Sequence, residues 1–392
     1  MKTAAPSLRD RASSARYPFS ILRDAIRAHT NHVLEFAIGA HGPTPTPALL
    51  EFVRRDADGI LKRSRAEDMT AFTETAAAML AREYDAPVDS ACVLPVPGGR
   101  AAIGAVVATL LEANDPVLVT EPGYPAFAKL AERRRARIVT AWLDSERAFA
   151  PALEPVVADI GSLRLVALNY PNNPTGAALC ARTVDTLATR VPGDAILFND
   201  AAYAPLTYEP GPRSLLSAEV AAKIEQPVLE LHSLGKVLGV NALPVSFLVG
   251  TESVIRDLSD YGDHAWSPAS ALVMQAATQC MADAARLASV RQTFADRVSR
   301  LRAAVTALGF APYPTPSGLY VLCPVPGKIG EQSVADAWTA VEVLLGRHDL
   351  AAMPWDAPGG GYLRFSALYA ADDLVALERL AAGGPIVCSS AS

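Results

Sequence analysis

The sequence predicts an α/β protein: a large unit with a mainly parallel sheet flanked by helices, plus a smaller α+β unit. Three observations carry this expectation. Between about residues 48 and 255, short apolar runs alternate with helical segments, the pattern of parallel strands joined through helices. From about 263 the pattern changes to a long helical stretch followed by scattered short strands. The chain, at 392 residues, also exceeds the size at which a single hydrophobic core stops growing. The expected division is a large domain at 48–262, with 1–47 and 263–392 supplying an N-terminal segment, linking helices and the small domain.

The elements follow in order. "GGRAAIGAVVATLLEA" predicts a helix opened by glycines, and "PVLVTE" a short strand after it. "FAKLAERRR" predicts the next helix and "RIVTAWL" the next strand. "LRLVALNYP" is an uninterrupted apolar run ending in a turn cluster, as in a strand buried on both faces. The helix "CARTVDTLATRV", the strand "AILFND" and a strand within "PVLELHSL" complete the large unit. Residues 268–310 form a long helical stretch with one or two breaks. "GLYVLCPV", a helix near 333–346, "LAAMPW" and "GYLRFSAL" then make the α+β unit.

Composition narrows the function. A hydrophobic fraction of 51% with 19% charged residues suits a globular protein with a large interior. A net charge of -6 without a long basic run argues against a nucleic-acid partner. The densest basic patch, "ERRRAR" at 132–137, is read as a solvated helix end. Five cysteines (Cys92, Cys180, Cys280, Cys323, Cys388) lie far apart, without a CxxC or Cys/His cluster, so neither a disulfide framework nor a metal site is expected. The N-terminus has no apolar signal core, and no run reaches about 18 apolar residues, so a cytoplasmic protein that does not enter membranes is expected.

In such a sheet, ligands bind beyond the carboxyl ends of the strands. The notable polar residues fall there. "LNYPNNPTG" places Asn172 and Asn173 in a Pro-bounded turn, and "LFNDAAY" spaces Asp200 and Tyr203 three apart. "VPGGRAAI" sets Gly98 and Gly99 before a helix, whose free N–H groups and dipole suit a phosphate. Lys236 is the one lysine in the apolar stretch 232–250. Either its stem packs while the charge reaches solvent, or it is an amine kept reactive by its setting.

The ordered series "PGGR", "EPGYP", "NYPNNPTG", "NDAAY", "HSLGK" and "YLRFS" resembles the aspartate aminotransferase-like, fold-type I family of pyridoxal phosphate enzymes over nearly the whole chain. "PVPGGRAAI" and "HSLGK" look most like the succinyldiaminopimelate aminotransferases. The resemblance implies pyridoxal 5′-phosphate as cofactor and the fold of that transferase family. It implies that Lys236 forms a Schiff base with the cofactor aldehyde and then moves the substrate proton. Asp200 would pair with the pyridinium nitrogen, while Tyr203 and Asn173 would bond the phenolic oxygen and Tyr124 would cover the ring. The phosphate would sit beside Gly98 on the N–H groups of Gly99 and Arg100, with the Ser233 hydroxyl. Arg364 would clamp the substrate carboxylate with two parallel bonds, which lysine cannot match, and Gly39 would let the N-terminal segment approach the substrate.

The implied activity is transfer of an amino group from an α-amino acid to a keto acid. The same scaffold also supports lyase, cyclase and oxidase reactions. A non-catalytic binding protein is a third reading, disfavoured because Lys236, Asp200, Tyr203 and Asn173 are all kept. Family relatives form homodimers with shared sites, and "YGDHAWSPAS", with Ser267, is the segment expected to reach the partner's phosphate.

The chain also departs from the family pattern. Pro244 and Ser246 stand where relatives carry a phosphate-binding arginine and a glycine, and Gly235 replaces a serine. Losing a charge-assisted phosphate contact costs about 1.5–3 kcal/mol; Arg100 is a candidate replacement. No tyrosine occurs near 66–72, Trp355 replaces a glycine, and His41 replaces a pocket-lining residue.

Overall fold

The computed structural model describes residues 8–9, 18–39, 50, 53–153, 161–237, 245–357 and 360–387, with the backbone alone at Lys236 and Val237. His41, Pro244 and Cys388 lie outside the described residues.

Seven strands form the main sheet: β1 (Val93–Val96), β2 (Pro116–Glu121), β3 (Arg137–Trp142), β4 (Leu165–Leu168), β5 (Ile196–Asp200), β6 (Val228–Ser233) and β7 (Ser246–Gly250). Their spatial order is β1-β7-β6-β5-β4-β2-β3. The block from β6 to β3 is parallel; β7 runs antiparallel to both of its neighbours. Every residue of β4 and β5 is buried, as the apolar runs 165–168 and 196–198 require, with the polar Asn199 and Asp200 closing β5. The strand period of two divides the side chains between the faces. Val117, Val119, Leu165 and Ala167 join one core cluster with Ile103 and Val106, while Leu118, Val166 and Leu168 join another with Val184 and Leu187.

The helices, in chain order, are α1 (Pro18–Ala28), α2 (Ala66–Tyr84), α3 (Gly99–Leu110), α4 (Ala126–Arg133), α5 (Ala181–Arg190), α6 (Leu234–Val237), α7 (Glu252–Ala265), α8 (Ala271–Ala282), α9 (Ala284–Ala307), α10 (Ala337–His348) and α11 (Ala371–Ala382). Helices α3, α4 and α7 cover one face of the sheet, with Ile103, Phe127 and Leu258 in its core. Helix α5 packs on the other face, and α2 and α8 pack together where Phe72 and Met274 meet Phe247. The expected long helix breaks once, at Asp283, whose carboxylate accepts from Arg286 N at 2.9 Å and so caps α9. The basic run surrounds the exposed end of α4, where Arg134 Nε donates to Leu111 O at 2.8 Å.

The smaller unit holds β8 (Tyr320–Pro324), β9 (Met353–Trp355) and β10 (Tyr362–Ser366) in the antiparallel order β9-β10-β8. Leu34–Glu35 pairs in parallel with Leu350–Ala351, which fastens the N-terminal segment to this unit. Ile21, Leu22 and Phe36 share its core with Leu301, Leu344 and Phe365.

Two strands of the main sheet were not expected from the sequence. β1 is four residues long with Pro95 inside it, which only an edge strand tolerates, and β1 is indeed at the sheet's edge. β7 is a five-residue apolar run without flanking periodicity. Among the described residues, no helix is long and apolar enough to cross a membrane.

Candidate active site

A cavity of about 450 Å³ opens at the carboxyl ends of β4, β5 and β6, beside the start of α3. This is where a parallel sheet leaves backbone and turn residues free to meet a ligand. The cavity wall includes Gly98, Gly99 and Arg100 from the start of α3, and Tyr124. Asn169 and Asn173 come from the turn after β4, Asp200 and Tyr203 from the end of β5, and Ser233 from the end of β6. Gly235, in α6, also lines it. Lys236 follows on the same short helix; its side chain lies outside the described residues.

Asparagines hold the first group in place. Asn169 Nδ2 donates to the Asp200 carbonyl at 2.8 Å, and Asn169 Oδ1 accepts from Asn173 N at 3.0 Å. The turn after β4 is thereby locked to the end of β5. Asn172 Oδ1 accepts from Thr175 N at 3.1 Å, which closes the Pro-bounded turn. Asp200 is 9% exposed, and its Oδ1 accepts from Ala202 N at 3.2 Å.

Tyr203 meets Tyr320 hydroxyl to hydroxyl at 3.0 Å, with the rings edge to face and 5.7 Å apart. Burial, and then Tyr320, hold the Tyr203 phenol well above its ordinary range, against the opposing pull of Arg364. Tyr203 therefore keeps its proton at neutral pH and can donate it.

Arg364, in β10, is fully buried. Its Nη1 donates to Asn173 Oδ1 at 2.8 Å and its Nη2 to the Ala37 carbonyl at 2.7 Å. The guanidinium carbon is 4.0 Å from the Tyr320 ring centroid and 5.7 Å from that of Trp355. Its Nε has no hydrogen-bond partner among the described residues. Arg364 does not itself line the cavity; its neighbours Asn173 and Tyr320 do. A cation buried among neutral oxygens and aromatic faces is costly until an anion joins it.

Gly39 also stands back from the cavity, whose wall holds the adjacent Ile38. At φ +75°, an added Cβ on Gly39 would lie 2.7 Å from Ser366 Oγ and 2.8 Å from Leu368 Cβ. Glycine is required there for the segment to pack on β10.

The other end of the cavity is made of helix start and strand ends. Gly98 has φ +98°, a conformation suited to glycine, and turns β1 into α3, whose first N–H groups have no acceptor within the helix. Arg100 is exposed there. Ser233 and Ser246 sit opposite each other in the β6–β7 pairing. Ser267 is exposed beyond the end of α7.

Beneath this site lies a second polar network. Glu230 is fully buried and accepts from Asn199 Nδ2 at 2.9 Å, from Leu215 N at 2.9 Å and from the Ser214 hydroxyl. His232 Nε2 is 3.2 Å from the same carboxylate, its ring stacked between Tyr84 and Phe247. Burial pushes the Glu230 acid upward most strongly, yet His232 and the bonds from Asn199 and Ser214 outweigh it and hold the carboxyl below its ordinary range.

Sequence reasoning missed Tyr320, Phe19 and Asn169, all of which line the cavity. Asn169 was available from its place in "LNYPNNPTG", directly at a strand end. Tyr320 and Phe19 come from distant segments with no motif around them.

These residues fit pyridoxal 5′-phosphate. A helix start and hydroxyls can take a phosphate, a carboxylate can face a ring nitrogen, and a protonated phenol can face a ring oxygen. The Ser246 hydroxyl, buried in the cavity wall without a partner among the described residues, is a donor that such a phosphate would satisfy.

A family model described as aminotransferase class I and II matches residues 32–381. LL-diaminopimelate aminotransferase of Methanocaldococcus jannaschii is 27% identical over 278 residues, 70% of this chain and 66% of that protein. The chain thus spans just under two thirds of that relative's length. L-glutamine–4-(methylsulfanyl)-2-oxobutanoate aminotransferase of Bacillus subtilis is 29% identical over 297 residues, 74% of each chain. Among solved structures, substrate-bound BacF from Bacillus subtilis superposes with a TM-score of 0.83 at 22% identity, covering 99% of this chain and 100% of its own. N-succinyldiaminopimelate aminotransferase from Mycobacterium tuberculosis gives 0.83 at 20% identity, covering 97% and 100%. Both show the fold.

Proposed function

The chain belongs to the aminotransferase class I and II family, whose cofactor is pyridoxal 5′-phosphate, and on that premise we propose that it moves an amino group from an α-amino acid to a keto acid at Lys236. The observation that carries the reading is the meeting of Asn169, Asn173, Asp200, Tyr203 and Ser233 in one cavity wall, with the helix of Lys236 directly after Ser233. The relatives' names favour transfer over a lyase, cyclase or oxidase reaction.

When bound, the cofactor supplies an aldehyde that condenses with amines and a ring that draws electrons from the substrate α-carbon. The chain's own residues do the rest. Asp200, at the end of β5, would hold a proton on the ring nitrogen. The Tyr203 phenol, held in its protonated form, would donate to the ring oxygen, and Asn173 would give that oxygen a second polar neighbour. Lys236 Nζ takes the proton from the substrate α-carbon. Arg364 would hold the substrate carboxylate, using the Nε that has no partner among the described residues. Tyr124, in the cavity wall, would cover the ring.

The same reading divides the chain into a large cofactor-binding domain at 48–262, with 1–47 and 263–392 forming the N-terminal segment, linking helices and small domain. It also includes a cytoplasmic homodimer. The turn Ala57–Leu61, packed against α8, leaves Ile60 52% and Leu61 87% exposed, an apolar surface suited to a second copy.

The test is a half-reaction. Protein loaded with pyridoxal 5′-phosphate and given one amino donor should yield keto acid and pyridoxamine phosphate in equal amounts, and a keto acid should then reverse the change. Diaminopimelate, which the name of the Methanocaldococcus jannaschii relative carries, is the first donor to try, and glutamine, from the name of the Bacillus subtilis relative, the second. Ammonia, peroxide or a cyclised product in place of the aminated cofactor would refute transfer.

A further inference from the structure

We propose that Ser246 is a ligand of the cofactor phosphate, supplying part of the contact that Pro244 cannot make; the inference rests on the cofactor assignment above. Ser246 begins β7, the strand between β1 and β6. It is in register with Val96 on one side and with Ser233 on the other. Residues directly opposite in antiparallel strands point to the same face, so the Ser246 and Ser233 side chains share one. Val96 leads through Pro97 into Gly98, Gly99 and Arg100. Ser246 therefore stands between the two elements assigned to the phosphate, and it lines the same cavity as both.

Its burial points the same way. Ser246 is 1% exposed, and its hydroxyl has no hydrogen-bond partner among the described residues. Alanine would fill that space without hiding a polar atom, and the family pattern has glycine, so packing does not account for the hydroxyl. A phosphate oxygen in the cavity would accept its proton, a charge-assisted bond of the stronger kind. The serine then costs the empty protein something and strengthens the loaded one.

This makes opposite demands on two measurements. Apoprotein and its Ser246→Ala variant are titrated with pyridoxal 5′-phosphate and with pyridoxal, which lacks the phosphate, and the thermal unfolding of each apoprotein is recorded. Ser246→Ala should weaken pyridoxal 5′-phosphate by about tenfold or more. It should leave pyridoxal affinity unchanged, and the apoprotein Tm equal or raised. Unchanged affinity for pyridoxal 5′-phosphate would overturn the proposal, as would equal weakening toward both compounds. Should Ser246→Ala fail to fold, Ser246→Gly is read by the same pair of titrations. If the wild type takes up no pyridoxal 5′-phosphate, the cofactor assignment falls and this inference with it. Uptake by the wild type without loss in the variant sinks this inference alone.

Discussion

Two ends of one cavity are built on different principles. Around Asn169, Asn173 and Arg364, polar groups already hold one another, through bonds of 2.7 to 3.0 Å. Around Gly98, Ser233 and Ser246, donors gather at a helix start and two strand ends, and the Ser246 hydroxyl has no partner among the described residues. The first arrangement fixes geometry before any ligand arrives, which is how electrostatic catalysis avoids reorganisation at the moment of reaction. The second leaves donors open, so that binding an anion supplies their hydrogen bonds. The difference teaches that substitutions at the first end should act on substrate binding and turnover, and substitutions at the second on cofactor retention.

Lys236, on the short helix that follows Ser233, should show the largest effect. Lys236→Ala removes both the attachment point and the proton carrier, so turnover should fall by about 10⁴-fold or more. A steady-state assay checks this, and residual activity above that level would move the chemistry elsewhere. Asp200→Asn comes next. Replacing the anion should lower kcat by about 10²–10³-fold, while a cofactor titration shows affinity changed far less. Loss of the cofactor itself would break the distinction between the two ends.

Arg364→Lys should be smaller again. Lysine cannot reproduce the planar fork, so kcat/KM for the amino donor should fall about 10- to 100-fold, through KM more than kcat. Cofactor affinity should be unchanged, and a variant with unaltered KM would remove Arg364 from the substrate site.

Glu230→Gln should affect turnover least and stability most visibly. A carboxyl held below its ordinary range stabilises the fold above the unfolded value, about 4.3, and loses that contribution as pH falls through the folded value. The variant should be less stable at pH 7 by about 1–3 kcal/mol, with the gap to wild type closing in acid. Parallel stability curves from pH 7 to acid would contradict this sign.

How much of this was legible in the sequence depended on distance along the chain. β4 and β5 announced themselves because both faces are covered and every position except Asn199, which bonds Tyr170 and Glu230, is apolar or at the site. β1 and β7 did not, since a short edge strand with a proline and a brief apolar run lack a distinguishing period. The ordered motifs placed Asn173, Asp200, Tyr203 and Ser233 around one cavity, because each follows a strand of the same parallel block. Tyr320 and Phe19 reach that cavity from the smaller unit and from α1, by packing that no local pattern encodes. The burial of Arg364 behind Asn173 and Tyr320 was likewise invisible, although an arginine between apolar strand residues signalled that something unusual holds it.

The most direct test is to incubate the purified protein with pyridoxal 5′-phosphate, reduce with borohydride, digest and locate the adduct by mass spectrometry. The account predicts one stoichiometric modification, on the peptide containing Lys236. No adduct, or an adduct on another lysine with Lys236 left free, would contradict it.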